Sequence, residues 1–270
     1  GNFKGVQAAG FVSASIGHLQ GVQANGFASV ASGIKGTQAS GFTNLNLKKT
    51  EGLQASGFLN TSLGGFTGAQ VAGFTNVSLQ ESEGIQISGF INVAQKHEGV
   101  QLSFFNYADS LDGIAIGFIS YSRNGYHKFE ISGNETFQTN FAFRTGTKMF
   151  YNIFSTGIHW DKDDPRWTAG YGIGTTLLDR NNWNLQLDLL SQAIFPENFE
   201  DENWAALNSF KISLSRELKM FEVFAGASIN AFVHDRDEYD TSFIPWTGFS
   251  GVEQGTNYIV YPGFQAGIRL

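Results

Sequence analysis

The chain has 270 residues, a formal net charge of −7 and a pI near 5.2, with no cluster of Lys and Arg, which excludes a protein that grips nucleic-acid phosphates. Charged residues make up only 15% while Gly reaches 33 and Phe 26 against 4 Pro and 2 Met, the balance of a β-rich chain rather than a helical or disordered one. Cysteine is absent, which removes disulfides, thiolate metal sites and Cys nucleophiles; no run of about 20 apolar residues offers a spanning helix, but spanning strands, whose signal is alternation, stay open.

From Gly5 onward one phrase recurs: Gly, a small or apolar residue, Gln, two further small or apolar residues, then Gly-Phe. Gly52-Leu53-Gln54-Ala55-Ser56-Gly57-Phe58 is one copy. Opening glycines at 5, 21, 36, 52, 68, 84, 99 and 113 give a period near 16, which belongs to a stacked architecture. Within Gly68 to Glu83, Ala69, Val71, Gly73, Thr75, Val77 and Leu79 alternate with Gln70, Ala72, Phe74, Asn76 and Ser78, a strand period interrupted at Gly-Phe by a bend. Polar turns such as Lys48-Lys49-Thr50-Glu51 and Gln80-Glu81-Ser82-Glu83 close each copy. One copy then makes one coil of a β-solenoid spanning residues 1–125, and at ~4.8 Å per coil eight coils span on the order of 38 Å.

In-register stacking places Gln7, Gln23, Gln38, Gln54, Gln70, Gln86 and Gln101 in one amide ladder and Asn44, Asn60, Asn76 and Asn92 in another. Phe11, Phe27, Phe42, Phe58, Phe74 and Phe90 form an aromatic row. All seventeen are read as structural, against the alternative that the amide rows face a glycan. His18 and His97 fall in the turns and read as solvated. A rival geometry makes each unit one strand of an antiparallel meander, but alternate strands would then run in opposite directions and need not carry the same residues in the same order.

After Gly125 the rhythm gives way to eight longer alternating segments in residues 126–270: Tyr126 to Ser132, Thr136 to Arg144, Lys148 to Trp160, Arg166 to Leu178, Trp183 to Phe195, Leu207 to Arg216, Met220 to His234 and Asn257 to Leu270. In the segment from Phe221, the residues Val223, Ala225, Ala227, Ile229, Ala231 and Val233 share a face opposed by Glu222, Gly226, Ser228 and Asn230. Most segments reach the ~9–11 residues that a tilted membrane strand needs. Trp160, Trp167, Trp183, Trp204 and Trp246 fall at or near strand ends, as in an interfacial aromatic belt. The expected fold is all-β, a solenoid followed by an antiparallel barrel of about eight strands. The competing possibility is a soluble barrel with its apolar residues pointing inward.

The Gly-x-Gln-x-x-Gly-Phe-x-Asn repeats followed by a transmembrane-β region resemble the bacterial surface-repeat outer-membrane family of spirochaetes and Bacteroidota, although many of its members carry Gly-Leu where this chain has Gly-Phe. The resemblance implies a place in the outer membrane more than a chemistry. The chain begins at Gly1 without an export signal, as a mature exported form would. Short connections at Thr145 to Thr147, Asp179 to Asn182 and Glu217 to Lys219 read as periplasmic and the longer ones as external, so an even strand count leaves the repeat domain in the periplasm. A count of seven would move it outside.

Acidic residues gather in the long loops at Asp161, Asp163 and Asp164, at Glu197, Glu200, Asp201 and Glu202, and at Asp235, Asp237, Glu238 and Asp240, without EF-hand spacing. No metal or cofactor is expected. His159 and His234 lie where outer-membrane lipid hydrolases place a histidine, but neither sits in a nucleophile motif. The expected function is therefore non-enzymatic: a barrel in outer-membrane lipid anchors a repeat scaffold that contacts another envelope protein. Alternatives are an accessory or plug subunit of a larger complex, such as a Bacteroidota type IX secretion translocon, and a lipid-modifying enzyme.

Overall fold

The alternation in the repeats becomes parallel strands stacked in register. The computed structural model describes residues 2–161, 165–195, 205–235, 241–246, 248–253 and 256–270, and it divides into the units Gly1–Tyr126 and His127–Leu270. Strands of the first unit are β1 (Phe3–Ala9), β2 (Val12–Asn25), β3 (Ala28–Ser40), β4 (Thr43–Asn46), β5 (Thr50–Ser56), β6 (Leu59–Ser62), β7 (Phe66–Ala72), β8 (Thr75–Ser88), β9 (Ile91–Leu102), β10 (Phe105–Ile116) and β11 (Ile119–Ser122). Every pairing among them is parallel and joins equivalent positions of successive repeats, Gln38↔Gln54 and Gln54↔Gln70 for example. This is a β-solenoid of about eight coils, and the antiparallel meander is excluded.

Two glycines per coil make the stack possible. Gly68 holds φ at +126°, which a side chain rarely tolerates. The corner glycine Gly73 has an ordinary φ, but a Cβ there would lie 2.1 Å from the carbonyl oxygen of Gly57 in the preceding coil. Glycine at this corner is therefore a packing requirement.

The segments expected as turns divide into two kinds. Residues 47–49 and 63–65 do leave the sheet, whereas β2 and β8 run through the same region as continuous strands with register shifts at Ser15/His18 and Ser78/Glu81. A bulge absorbs the extra residue while coil-to-coil bonding continues. This corrects the reading of His97: it is buried, with its Nε2 3.3 Å from the carbonyl oxygen of Val100 and its ring 5.7 Å from that of Phe66. It occupies an inward column two residues before each opening glycine, which also holds Leu19, Ile34, Thr50, Phe66, Ser82 and Leu111. His18 is exposed as expected.

The second unit contains β12 (Tyr126–Asn134), β13 (Thr139–Thr147), β14 (Phe150–His159), β15 (Arg166–Arg180), β16 (Trp183–Phe195), β17 (Ala205–Glu217), β18 (Glu222–His234), β19 (Phe249–Glu253) and β20 (Thr256–Arg269). Antiparallel neighbours run in order from β12 to β18 and then β20, and β12 pairs with β20, so eight strands close a barrel. The short strand β19 has no counterpart in the sequence reading. It pairs with the Thr256 to Val260 half of β20, beyond the stretch from Gln265 to Arg269 that β12 covers. Asn181 and Asn182, at φ 54° and 64°, make the two-residue turn between β15 and β16.

Polarity along the barrel strands is sorted outward. On β18 Val223, Ala225, Ala227 and Ile229 are exposed, while Glu222, Ser228, Asn230 and His234 are buried. On β16 Asn184, Gln186, Asp188 and Gln192 point in and Leu189 and Phe195 point out. The competing arrangement, with apolar residues pointing inward, is met in one cluster, around Phe137 and Phe232. Trp160, Trp167, Trp183 and Trp246 are all exposed near strand ends; Trp204 lies outside the described residues.

Candidate interaction surface

Each coil of the solenoid turns its amides inward. Gln23, Gln38, Gln54, Gln70, Gln86 and Gln101 are fully buried, and each donates from Nε2 to Oε1 of the Gln one coil earlier over 2.7 to 3.1 Å, with Gln7 accepting at the first coil. The Asn ladder runs the other way. Asn44 donates to Asn60, Asn60 to Asn76, Asn76 to Asn92 and Asn92 to Asn106 over 2.9 to 3.1 Å, so the two rows of side-chain dipoles oppose each other. Each Asn Nδ2 also reaches a carbonyl across the corner, as from Asn60 to Val71 at 2.8 Å and from Asn76 to Ile87 at 2.7 Å. These contacts tie the two walls of the coil together. Buried this way, the amides cannot present a glycan-binding stripe.

Because polar groups fill the inside, apolar groups are left outside. Phe11, Phe27, Phe42, Phe58, Phe74 and Phe90 stack with ring centroids 4.8 to 5.0 Å apart, and the row continues through Phe104 to Phe118. Internal members remain about 40% exposed even when stacked, as at Phe27 40% and Phe74 41%. With ~200 Å² per ring, the row alone presents on the order of 600 Å² of aromatic surface, at or beyond the largest patch of an ordinary monomer. Leu47, Leu53, Leu79, Ile85 and Ile87 are further exposed apolar side chains of the coils. Charge is confined to the opposite edge, where Lys35 meets Glu51 at 3.1 Å and Lys96 meets Glu81 at 2.5 Å. The hydrogen bonds from these lysines hold both carboxyls below their ordinary pKa.

The continuation of the ladders to Asn106, Phe104 and Phe118 was not singled out from the sequence, although the decaying phrases at Gly99 and Gly113 carry it. The inward column at His97 was missed outright, because its members share only the property of facing in.

Inside the barrel a charged network occupies one half. Arg144 makes a two-pronged pair with Asp188 at 3.1 and 2.8 Å and also donates to Glu130 at 2.8 Å. Arg269 donates to the same Glu130 oxygen at 2.7 Å, to Glu222 at 3.0 Å and to Gln186, and Tyr151 donates to Asp188 at 2.7 Å. A cavity beside it, lined by Glu130, Arg144, Asp188 and Lys211 among others, holds about 20 Å³, room for about one water. The other half is apolar, with Phe137, Ile194, Leu207, Phe232, Phe243 and Tyr261 packed together. Among the described residues such an interior is filled by side chains and leaves no room for a diffusion pore.

His159 lies within this filling. Its ring packs edge-on near Phe137 and Phe243, and Nδ1 is 2.6 Å from the carbonyl oxygen of Thr136, to which it donates. His234 is buried and packs against Phe232. Of the acidic loop residues only Asp161 and Asp235 fall among the described residues; Asp163, Asp164, Glu197, Glu200, Asp201, Glu202, Asp237, Glu238 and Asp240 lie outside them. Compared with family models, curated proteins and solved structures, the chain finds no match in any of the three.

Proposed function

We propose that this chain is a non-enzymatic outer-membrane protein, in which the eight-stranded barrel sits in lipid and anchors a repeat scaffold that contacts another envelope protein. One observation carries the reading: both units bury many amides, hydroxyls and charged groups while leaving a large set of apolar side chains exposed on the outside. A barrel sorted this way is soluble in hydrocarbon, since its backbone bonds close on themselves and its charges are paired within. Membership of the surface-repeat family fits the same arrangement. β12 begins and β20 ends at the short-turn end of the barrel, which on the loop-length rule is the periplasmic end and would leave the scaffold in the periplasm.

For the scaffold, the aromatic row and its flanking walls are the contact surface. Partners of that kind bury aromatic anchors at the centre of the interface and leave charge at the rim. The filled barrel favours a finer version, an accessory or plug subunit of a larger outer-membrane complex, because such a barrel conducts nothing itself.

Three measurements test this. Native membranes are separated by density: the chain is expected in the outer-membrane fraction with unheated, heat-modifiable migration, and recovery as a soluble protein ends the proposal. Crosslinking before purification is expected to recover a partner that F58S/F74S/F90S releases while the ladders stay intact. A monodisperse chain with no crosslinked partner refutes the scaffold role. Protease added to whole cells should leave residues 5–125 uncut.

A further inference from the structure

On the barrel wall formed by β16, β17 and β18, two outward side chains break an otherwise apolar face. From Leu185 to Phe195, Ala206 to Leu214 and Val223 to Val233 the outward positions hold Ala, Val, Ile, Leu and Phe, except at Ser191 and Asn208. These two face each other across the β16–β17 ladder. Both are exposed, and neither side chain has a hydrogen bond among the described residues. In hydrocarbon such groups are costly unless a partner from outside the chain reaches them.

Cross-strand register gives the pair a shaped setting. Their row runs Tyr171, Ser191, Asn208, Ala231. The row on the Trp183 side is Ile173, Leu189, Phe210 and Ile229, and the row on the other side is led by three alanines, Ala169, Ala193 and Ala206. Small residues beside large ones leave a groove of about 450 Å³, lined by Tyr171, Leu189, Ser191, Asn208, Phe210 and Ile229 among others. A second hollow of about 220 Å³ shares Ile173, Leu189 and Phe210 and carries the groove on to Leu187. Sites for small molecules span ~300–1,000 Å³. Ser191 stands eight residues along β16 from Trp183, ~20 Å up the wall at ~3.4 Å per residue and a tilt of ~40°. Trp183 adjoins the short turn at Asn181 and Asn182, the periplasmic end on the loop-length rule, so in an apolar band ~25 Å tall the pair lies in the outer-leaflet half.

We propose that this groove binds one outer-leaflet lipid. An acyl chain lies along Ile173, Leu189, Phe210 and Ile229, its ester carbonyl accepts from Ser191 Oγ and Asn208 Nδ2, and its head passes over the alanines. The direction agrees with the leaflet, since the polar pair lies toward the outer end and the apolar hollow toward the mid-plane. The inference rests on the barrel standing in the outer membrane, and not on the partner proposed for the aromatic row.

The test uses the 270-residue chain, folded in detergent and stripped of lipid, with native mass spectrometry counting bound molecules. The probe is a diester phosphatidylethanolamine; the control is its diether analogue, which keeps chains and head but has no carbonyl. Wild type is expected to hold one diester molecule at least tenfold more tightly than the diether. Asn208→Leu and Ser191→Ala each make the face more apolar, so a surface that binds lipid without specificity would hold as much or more. Here each should weaken diester binding about tenfold, while fast migration of the unheated chain shows that the barrel is folded. Ala193→Phe, which fills the path of the head, should do the same. Equal binding of diester and diether, binding that N208L leaves unaltered, or a photo-crosslinker at Ala193 that captures protein in place of lipid in native membranes would each overturn the proposal. A chain that yields no folded form from the outer-membrane fraction ends the outer-membrane reading as well, whereas a folded barrel that holds no lipid overturns the groove alone.

Discussion

Asn76→Asp is the sharpest test of whether the amide ladders hold the solenoid together. The two side chains have the same shape, so packing is kept and only polarity changes. In the native coil Asn76 Nδ2 donates to Asn92 Oδ1 at 3.0 Å, to the carbonyl of Ile87 at 2.7 Å and to the carbonyl of Gln70 at 3.3 Å. All of this lies in an interior where Asn76 and Asn92 are fully buried. The carboxylate would turn an acceptor toward three acceptors. Orphaning a buried polar group costs about 1–3 kcal/mol, so losing the amide's two N–H donors, one of them shared between two of these acceptors, costs about 2–6 kcal/mol before any charge penalty. Protonation at low pH would return one donor and part of the loss. The damage should centre on the coils around Asn76, because each coil touches only its neighbours. Hydrogen exchange read by mass spectrometry should show loss of protection across residues 59–92, with the barrel amides unchanged. If protection there stays at the wild-type level at neutral pH, the ladder is not what stabilises the stack.

Gly73→Ala should be as damaging with no polar change, since its Cβ would stand 2.1 Å from the Gly57 carbonyl; the solenoid melting transition should fall. Arg144→Leu leaves Asp188 and Glu130 buried without their shared partner, and breaking such a pair costs about 3–5 kcal/mol, read as a lower urea midpoint for loss of the folded, fast-migrating barrel band. His97 is held below its ordinary pKa of 6.5 by burial. The unfolded chain therefore binds the proton more readily, so stability is complete above pH 6.5 and declines as pH falls from 6.5 toward the folded value. Exchange protection of the coils around His97 should show this slope, and His97→Leu should flatten it.

The parts of the fold legible in sequence were those that repeat or alternate. Gln54, Gly57, Phe58 and Asn60 recur at fixed spacing because each sits above its own equivalent, so the period reports the stack directly. Strand β16 was read to its ends, Trp183 and Phe195, because its inward Asn184, Gln186 and Asp188 alternate with outward leucines. β19 escaped because five residues, Phe249–Glu253, with glycine at the centre carry too little alternation. The column through His97 escaped for another reason. Its members range from Phe66 to Ser82 to His97, and only coil-to-coil register puts them in line. Nothing local foretold that Arg269 joins Arg144 on Glu130, since β20 meets β12 only when the barrel closes.

The polarity of the solenoid decides where its function can lie. An ordinary globular unit is held by apolar burial, which contributes ~25 cal/mol per Å²; here the inside of each coil is largely amide and hydroxyl, with Gln70, Asn76 and Ser78 all fully buried. Stability must come instead from main-chain pairing along the stack, from ladders in which almost every buried amide is satisfied by the next copy, and from ring stacking at 4.8 to 5.0 Å. None of these needs the outer apolar residues to be covered within the chain. Selection for folding alone would therefore tolerate Ser or Thr at the walls and would favour it for solubility. Keeping Leu53, Ile85, Ile87 and a continuous phenylalanine row exposed has no return inside the monomer. On the proposed function the partner is what covers them, and it is to be sought against the aromatic edge and not among the buried Gln and Asn that make the sequence so recognisable.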